Sequence, residues 1–302
     1  MTGTDGGSRL RGEQQMTRVG QQACLALAFA VVAATPAVAD AQAVRRGGGA
    51  AGFTATGLAA NDDGSTGLVN IGFGINFFGT TASQLYVNNN GNVTLTSPLA
   101  TFTPFNLTGN SGIPIIAAYF ADVDTRGAGS AITRYGTGTV DGRAAFGVNW
   151  DGVGYYEGHD DKLNIFQLIL IDRTDTGAGN FDVEFNYDRI LWETGDVSGG
   201  SNGFGGTSAA VGYSGGSGAA GTFAQLPGSL VNGALLDGGP AATSLVRSNL
   251  NSNVLGRYTL NVRGGSIVTP PPTNVVPEPA TVALVGVGVL TLAGVARRRV
   301  HG

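Results

Sequence analysis

Cysteine is nearly missing. Cys24 is the sole cysteine in 302 residues, and it sits at the head of an apolar N-terminal run. A chain processed behind that run carries no thiol, so it makes no disulfide and no thiolate zinc site. Gln21, Gln22 and Ala23 ahead of Cys24 make a poor lipobox. Lysine is as scarce, with Lys162 alone. Residues 40–276 hold eighteen acidic against eleven basic side chains, a net of −7. Nucleic-acid binding rests on basic groups that neutralise phosphates, so this balance argues against it. Histidine occurs only at His159 and His301, which leaves little for general acid–base chemistry. No Walker A loop, CxxC pair or HExxH helix is present.

Glycine is abundant instead, at 51 residues. Each interior glycine costs a helix about 1 kcal/mol relative to alanine, whereas short strands and tight turns tolerate it. Strand patterns recur accordingly. Leu85-Tyr86-Val87 and Val93-Thr94-Leu95 flank Asn88-Asn89-Asn90-Gly91-Asn92, which reads as a hairpin. Residues 115–120 form a continuous apolar run, expected to be a buried strand. Phe146, Val148 and Trp150 share one face, and residues 164–171 (NIFQLILI) suit a central strand. Phe181, Val183, Phe185 and Tyr187 alternate with Asp182, Glu184, Asn186 and Asp188, which predicts a half-exposed strand. Tyr258, Leu260 and Val262 alternate likewise, and residues 198–207 read as a glycine-rich turn or flexible loop. The expected fold is all-β: one antiparallel, sandwich-like domain. Phe166, Leu168 and Leu170, with Phe181, Val183 and Phe185, are its expected core.

The two ends differ from this body. Residues 24–39 read CLALAFAVVAATPAVA behind Arg18, and Ala37-Val38-Ala39 supplies a small-x-small cleavage site before Asp40. This order of charge, apolar run and small residues predicts a secretory signal over 1–39, with Met16 as a plausible start. At the other end, residues 267–276 (IVTPPPTNVV) form a proline-rich linker. Pro277-Glu278-Pro279 follows, then residues 280–296 without a charge, then Arg297, Arg298 and Arg299. As a helix the apolar stretch spans roughly 25 Å, enough to cross a bilayer, with the arginines cytoplasmic.

VPEPATVALVGVGVLTLAGVARRR resembles the PEP-CTERM sorting signal of Gram-negative bacteria, with its Pro-Glu-Pro motif, transmembrane run and basic tail. The resemblance implies sorting by an exosortase and export to the surface of an organism that makes exopolysaccharide. The inner membrane would hold the chain transiently through its C-terminal helix. Between the ends, LYVNNNGNVTL, IPIIAAYFADVDTRGAGSAITRY, VNWDGVGYY, KLNIFQLILIDR, FDVEFNYDRILWETGD, SAAVGYSGG, LPGS and GRYTLNV occur in order. This series resembles the nidogen-like (NIDO) domain, which implies an extracellular β module of matrix and adhesive proteins. The expected organisation is a signal peptide over 1–39, an N-terminal extension with first strands over 40–69, the NIDO-like domain over 70–263, a linker over 264–276 and the sorting signal over 277–302.

Candidate chemistry is sparse. His159 lies in the acidic stretch 157–161. Gly212-Tyr213-Ser214-Gly215-Gly216 fits G-x-S-x-G, but no helix pattern follows the serine, and the elbow requires one. Asp122-Val123-Asp124-Thr125-Arg126-Gly127 begins like an EF-hand, yet Arg126 holds the fifth position and Thr133 the twelfth, where glutamate is needed. Two readings of Asp122 and Asp124 stay open: a looser calcium site completed by loop carbonyls, or a strand-end turn paired with Arg126. No other cofactor is expected. The reading that follows is a non-enzymatic surface or biofilm-matrix protein with an adhesive or structural β module. Its partners would be an exosortase during export, and exopolysaccharide or other surface proteins afterwards. The rival is a secreted hydrolase of extracellular polysaccharide that uses Asp122 and Asp124, which as alternate strand residues would lie about 7 Å apart.

Overall fold

The computed structural model describes residues 42–46 and 52–268. The expected signal peptide with Ala37 and Ala39, and the sorting segment with Pro277, Glu278 and Pro279, lie outside the described residues. Among those residues no helix is long and apolar enough to cross a membrane.

The first eight strands are β1 (Thr56–Gly57), β2 (Val69–Phe77), β3 (Thr80–Asn88), β4 (Asn92–Thr94), β5 (Ile115–Phe120), β6 (Val123–Asp124), β7 (Arg134–Val140) and β8 (Arg143–Tyr155). The rest are β9 (His159–Asp172), β10 (Phe181–Arg189), β11 (Gly200–Ser201), β12 (Phe204–Gly205), β13 (Ala210–Ser214), β14 (Phe223–Gln225), β15 (Arg257–Arg263) and β16 (Ser266–Val268). One sheet has the order β1-β7-β8-β9-β10-β15-β16, with β6 added against β8. The second has the order β14-β13-β5-β4-β3-β2. All pairings between these strands are antiparallel. The glycine-rich stretch 198–207 is ordered as the small hairpin β11–β12.

Side-chain alternation sets which face of the large sheet is apolar. Val148, Leu168, Phe185 and Tyr258 stand in register across four strands, and Phe146, Leu170, Val183 and Leu260 form the next row. Trp150 stacks on Phe166 at 4.9 Å between ring centroids. These rows pack against Ile71, Phe77, Leu85, Val87, Ile116 and Val211 of the second sheet to form the main core. The six residues expected in the core are all buried.

The opposite face of β10 corrects the sequence reading. Asp182, Glu184 and Asn186 are buried, so the strand is covered on both sides. The cover comes from far away in the chain. Arg45 donates from Nε and Nη2 to the two carboxylate oxygens of Glu184, at 2.7 and 3.0 Å. The backbone N–H of Arg45 donates to Gln167 Oε1, and Gln167 Nε2 donates to the Arg45 carbonyl. Gln167 also links Asn149 and Asn186 across three strands. Asp182 meets Arg173 and Arg263. Burial of these polar groups is tolerated because each is paired. Alternation alone reports a polar face, not whether water reaches it.

Candidate functional site

The site begins at the hairpin β3–β4. Gly91 adopts φ +76°, and a Cβ there would sit 1.8 Å from the Tyr119 carbonyl oxygen, so only glycine fits. The close approach lets Tyr119 N–H donate to the Gly91 carbonyl. It also sends the preceding asparagines inward, and Asn88, Asn89 and Asn90 are all buried. Asn89 Nδ2 donates to the carbonyls of Asp62 and Val123. Asn90 Oδ1 accepts from Val123 N–H, and its Nδ2 donates to Asp63 Oδ1 at 2.8 Å. The hairpin thereby clamps the loop 61–64 to the link between β5 and β6.

That clamp brings Asp62 and Asp63 to Asp122. One carboxylate oxygen from each lies within 4.8 Å of the others. Asp122 is 1% exposed, and neither of its carboxylate oxygens has a hydrogen-bond partner. Asp62 Oδ1 is likewise buried without a partner. Gly195 presses its backbone against Asp122, where a Cβ would fall 2.2 Å from Oδ2. Burial, and then the negative charges of Asp62, Asp63 and Asp124, push the Asp122 carboxyl up to about 7. Burial and the neighbouring Asp124 and Asp63 push Asp62 up to about 6, against the pull of Arg126.

Asp124 has different partners. Its side chain is fully buried beside a half-exposed Arg126. Arg126 donates from its backbone N–H (2.9 Å), Nε (2.9 Å) and Nη2 (2.6 Å), and Gly158 N–H donates at 2.8 Å. Burial works to raise the Asp124 carboxyl, but these hydrogen bonds outweigh it and hold the group below its ordinary value. Arg126 also reaches Asp62 Oδ2 at 2.9 Å. Of the two aspartates singled out in the sequence, Asp122 thus joins an acidic cluster and Asp124 an ion pair. Neither carboxylate oxygen of Asp124 is left without a donor.

Neither of the other candidates belongs to the group of Asp62, Asp63 and Asp122. His159 stacks on Tyr155 at 4.8 Å, with Nδ1 2.9 Å from the Tyr156 carbonyl. Ser214 lies buried on β13, within 2.9 Å of the Ser111 hydroxyl, and the next element is the strand β14. Asp62 and Asp63 escaped the sequence reading because they lie about sixty residues before Asp122, with no periodic signal to join them. The local hint is Asn61-Asp62-Asp63-Gly64, a turn in which Gly64 N–H donates to Asn61 Oδ1.

The arrangement offers carboxylate oxygens without imidazole or thiolate. That donor set suits a hard cation and not zinc.

Two family models match the chain. The nidogen-like domain model matches residues 83–141 and 130–264. The PEP-CTERM protein-sorting motif matches residues 275–300. Alpha-tectorin of Mus musculus is 32% identical over 228 residues, covering 68% of this chain and 10% of that protein. Alpha-tectorin of Homo sapiens is 31% identical with the same coverage, and that of Gallus gallus 29% identical over 232 residues. The chain therefore spans about a tenth of the length of these relatives. No solved structure gives a match. Fold and motifs together define an exported, all-β extracellular or cell-surface protein. The chain belongs to the nidogen-like domain family.

Proposed function

We propose that this protein is a non-enzymatic component of the cell surface or biofilm matrix, with the β-sandwich as its adhesive or structural module. The observation that carries this reading is the union, in one chain, of a nidogen-like domain with a PEP-CTERM motif at residues 275–300. On this reading a signal peptidase cuts after Ala39. An exosortase then acts at Pro277-Glu278-Pro279 and releases the module from its transient hold in the inner membrane. Exopolysaccharide or other surface proteins are the proposed partners outside.

Fractionation with mass spectrometry of the termini tests the processing. The exported form should lack residues 1–39 and 280–296, and cells without the exosortase should retain the precursor in the inner membrane. An intact chain carrying residues 280–296 in the membrane of normal cells would overturn sorting and leave simple anchoring. Incubation of the exported protein with the organism's own exopolysaccharide tests the rest. Retention without new reducing ends fits adhesion, whereas release of reducing ends would establish the rival hydrolase.

A further inference from the structure

We propose that Asp62, Asp63 and Asp122 hold one divalent cation, calcium in preference to magnesium, which pins the loop 61–64 to the link between β5 and β6. What points to a ligand is Asp122, whose carboxylate is 1% exposed and has no donor on either oxygen, while it lies among two further carboxylates. A buried carboxylate without partners is costly, and like charges beside it make it more so. A cation between the three removes both problems.

Neighbouring groups are arranged to leave the inner oxygens free. Arg126 takes Asp62 Oδ2, so Asp62 Oδ1 remains buried without a donor. The buried Asn90 donates from Nδ2 to Asp63 Oδ1, which orients that carboxylate. Ligands fixed by such outer hydrogen bonds are the usual way a protein orients a metal site. Arg126 is not itself the missing cation for Asp122, because its guanidinium is engaged by Asp124 and Asp62.

Distance separates the two candidate ions. Two oxygens on one ion cannot lie further apart than twice the metal–oxygen bond. That limit is about 4.6–5.2 Å for calcium and about 4.2 Å for magnesium. The three oxygens lie within 4.8 Å of one another, a separation that calcium's longer bonds meet with less movement of the ligands than magnesium's. Calcium also accepts irregular ligands from separate loops, whereas magnesium demands near-octahedral geometry. Extracellular calcium modules bind at about 10⁻⁴–10⁻³ M, and that is the expected range here. The site itself does not depend on the proposed adhesive role.

The test uses the purified full-length chain, stripped with chelator and titrated with Ca²⁺ or Mg²⁺. Calorimetry should find one Ca²⁺ per chain, and the melting temperature should rise by several degrees at saturating Ca²⁺. Asp122→Asn and Asp63→Asn should each weaken Ca²⁺ binding at least about tenfold, since each removes a charged ligand. In chelator, Asp122→Asn should melt no lower than the parent, because it removes a buried unpaired charge. A purely structural role for Asp122 would predict a lower melting temperature there. Asp175→Asn, an exposed change outside the cluster, should leave the Ca²⁺ response intact. No binding or thermal response up to about 10 mM of either ion, well above that range, would overturn the site. A response to Mg²⁺ alone would overturn the calcium assignment. An undiminished response in both Asp122→Asn and Asp63→Asn would overturn its location.

Discussion

Phe53 lies face-down on Gly147: a Cβ at residue 147 would fall 2.4 Å from Phe53 Cγ. Gly138 completes the floor, where a Cβ would meet the same ring at 2.8 Å. The bare backbone of β7 and β8 thus forms a trough for an aromatic ring on the outer face of the large sheet. The ring is 1% exposed and packs with Val140, Ala145, Ile169 and Ile171.

This trough makes a stability prediction. Gly147→Ala should destabilise the protein by about 1–3 kcal/mol through overpacking. Phe53→Ala should cost about 3–5 kcal/mol. The double variant should be less destabilised than the sum, because the ring makes the closest clashes with alanine at 147, while the Cβ of residue 53, 2.8 Å away, remains in both variants. Urea denaturation of the four proteins measures the cycle, and strict additivity would mean that the ring and the glycine do not interact.

The inner faces of the sheets were legible because their signal is local. Residues 115–120 form β5 as expected, and the rows of β8, β9, β10 and β15 follow alternation in the sequence. The outer face was not legible. Glu184 looks solvated until Arg45, 139 positions earlier, is placed on it. The acidic cluster is hidden for the same reason: in sequence Asp122 stands beside Asp124, while Asp62 and Asp63 reach it only through the fold. Of the three consecutive asparagines at 88–90, which read as turn formers, Asn88 ends β3 while Asn89 and Asn90 form the turn. Their inward hydrogen bonds appear only when residues 61–63 and 123 surround them. Period-two patterns encode which side chains share a face, and carry no information about which distant loop closes over it.

Arg126 should matter whether or not a cation binds nearby. Arg126→Gln removes three short side-chain contacts to the buried Asp124 carboxylate and leaves it with the two backbone N–H donors. Loss of a charged partner to a buried acceptor should cost about 1–3 kcal/mol at neutral pH. Chemical denaturation in the presence of chelator reads this directly. A cost below about 0.5 kcal/mol, the range of ordinary surface changes, would mean that the two backbone donors suffice.

Tyr119, Tyr187 and Tyr258, three of the buried tyrosines, should make the fold sensitive to alkaline pH. Tyr119 donates its hydroxyl to the Trp192 carbonyl at 2.7 Å and Tyr187 to that of Ala118 at 2.6 Å, and the Tyr258 hydroxyl lies 3.2 Å from the Leu245 carbonyl and 2.6 Å from the Ser248 hydroxyl. A phenolate cannot donate, so ionisation would leave a buried negative charge facing a carbonyl oxygen. Burial raises all three groups, and Tyr258 is pushed up to about 12. The unfolded chain ionises its tyrosines near pH 10. Between about pH 10 and 12 the folded state therefore holds a proton on Tyr258 that the unfolded state has released. The tyrosines' contribution to stability is complete below pH 10 and falls as pH rises through that window, by about 1.4 kcal/mol per pH unit for each such tyrosine. Tyr258→Phe should lose about 0.5–1.5 kcal/mol at pH 8, where the hydroxyl still donates. Its stability should then decline less steeply from pH 10 to 12, by about one proton's worth of slope. Urea midpoints measured from pH 8 to 12 give both quantities. Parallel curves for parent and variant would show that Tyr258 ionises in the folded state as readily as in the unfolded chain.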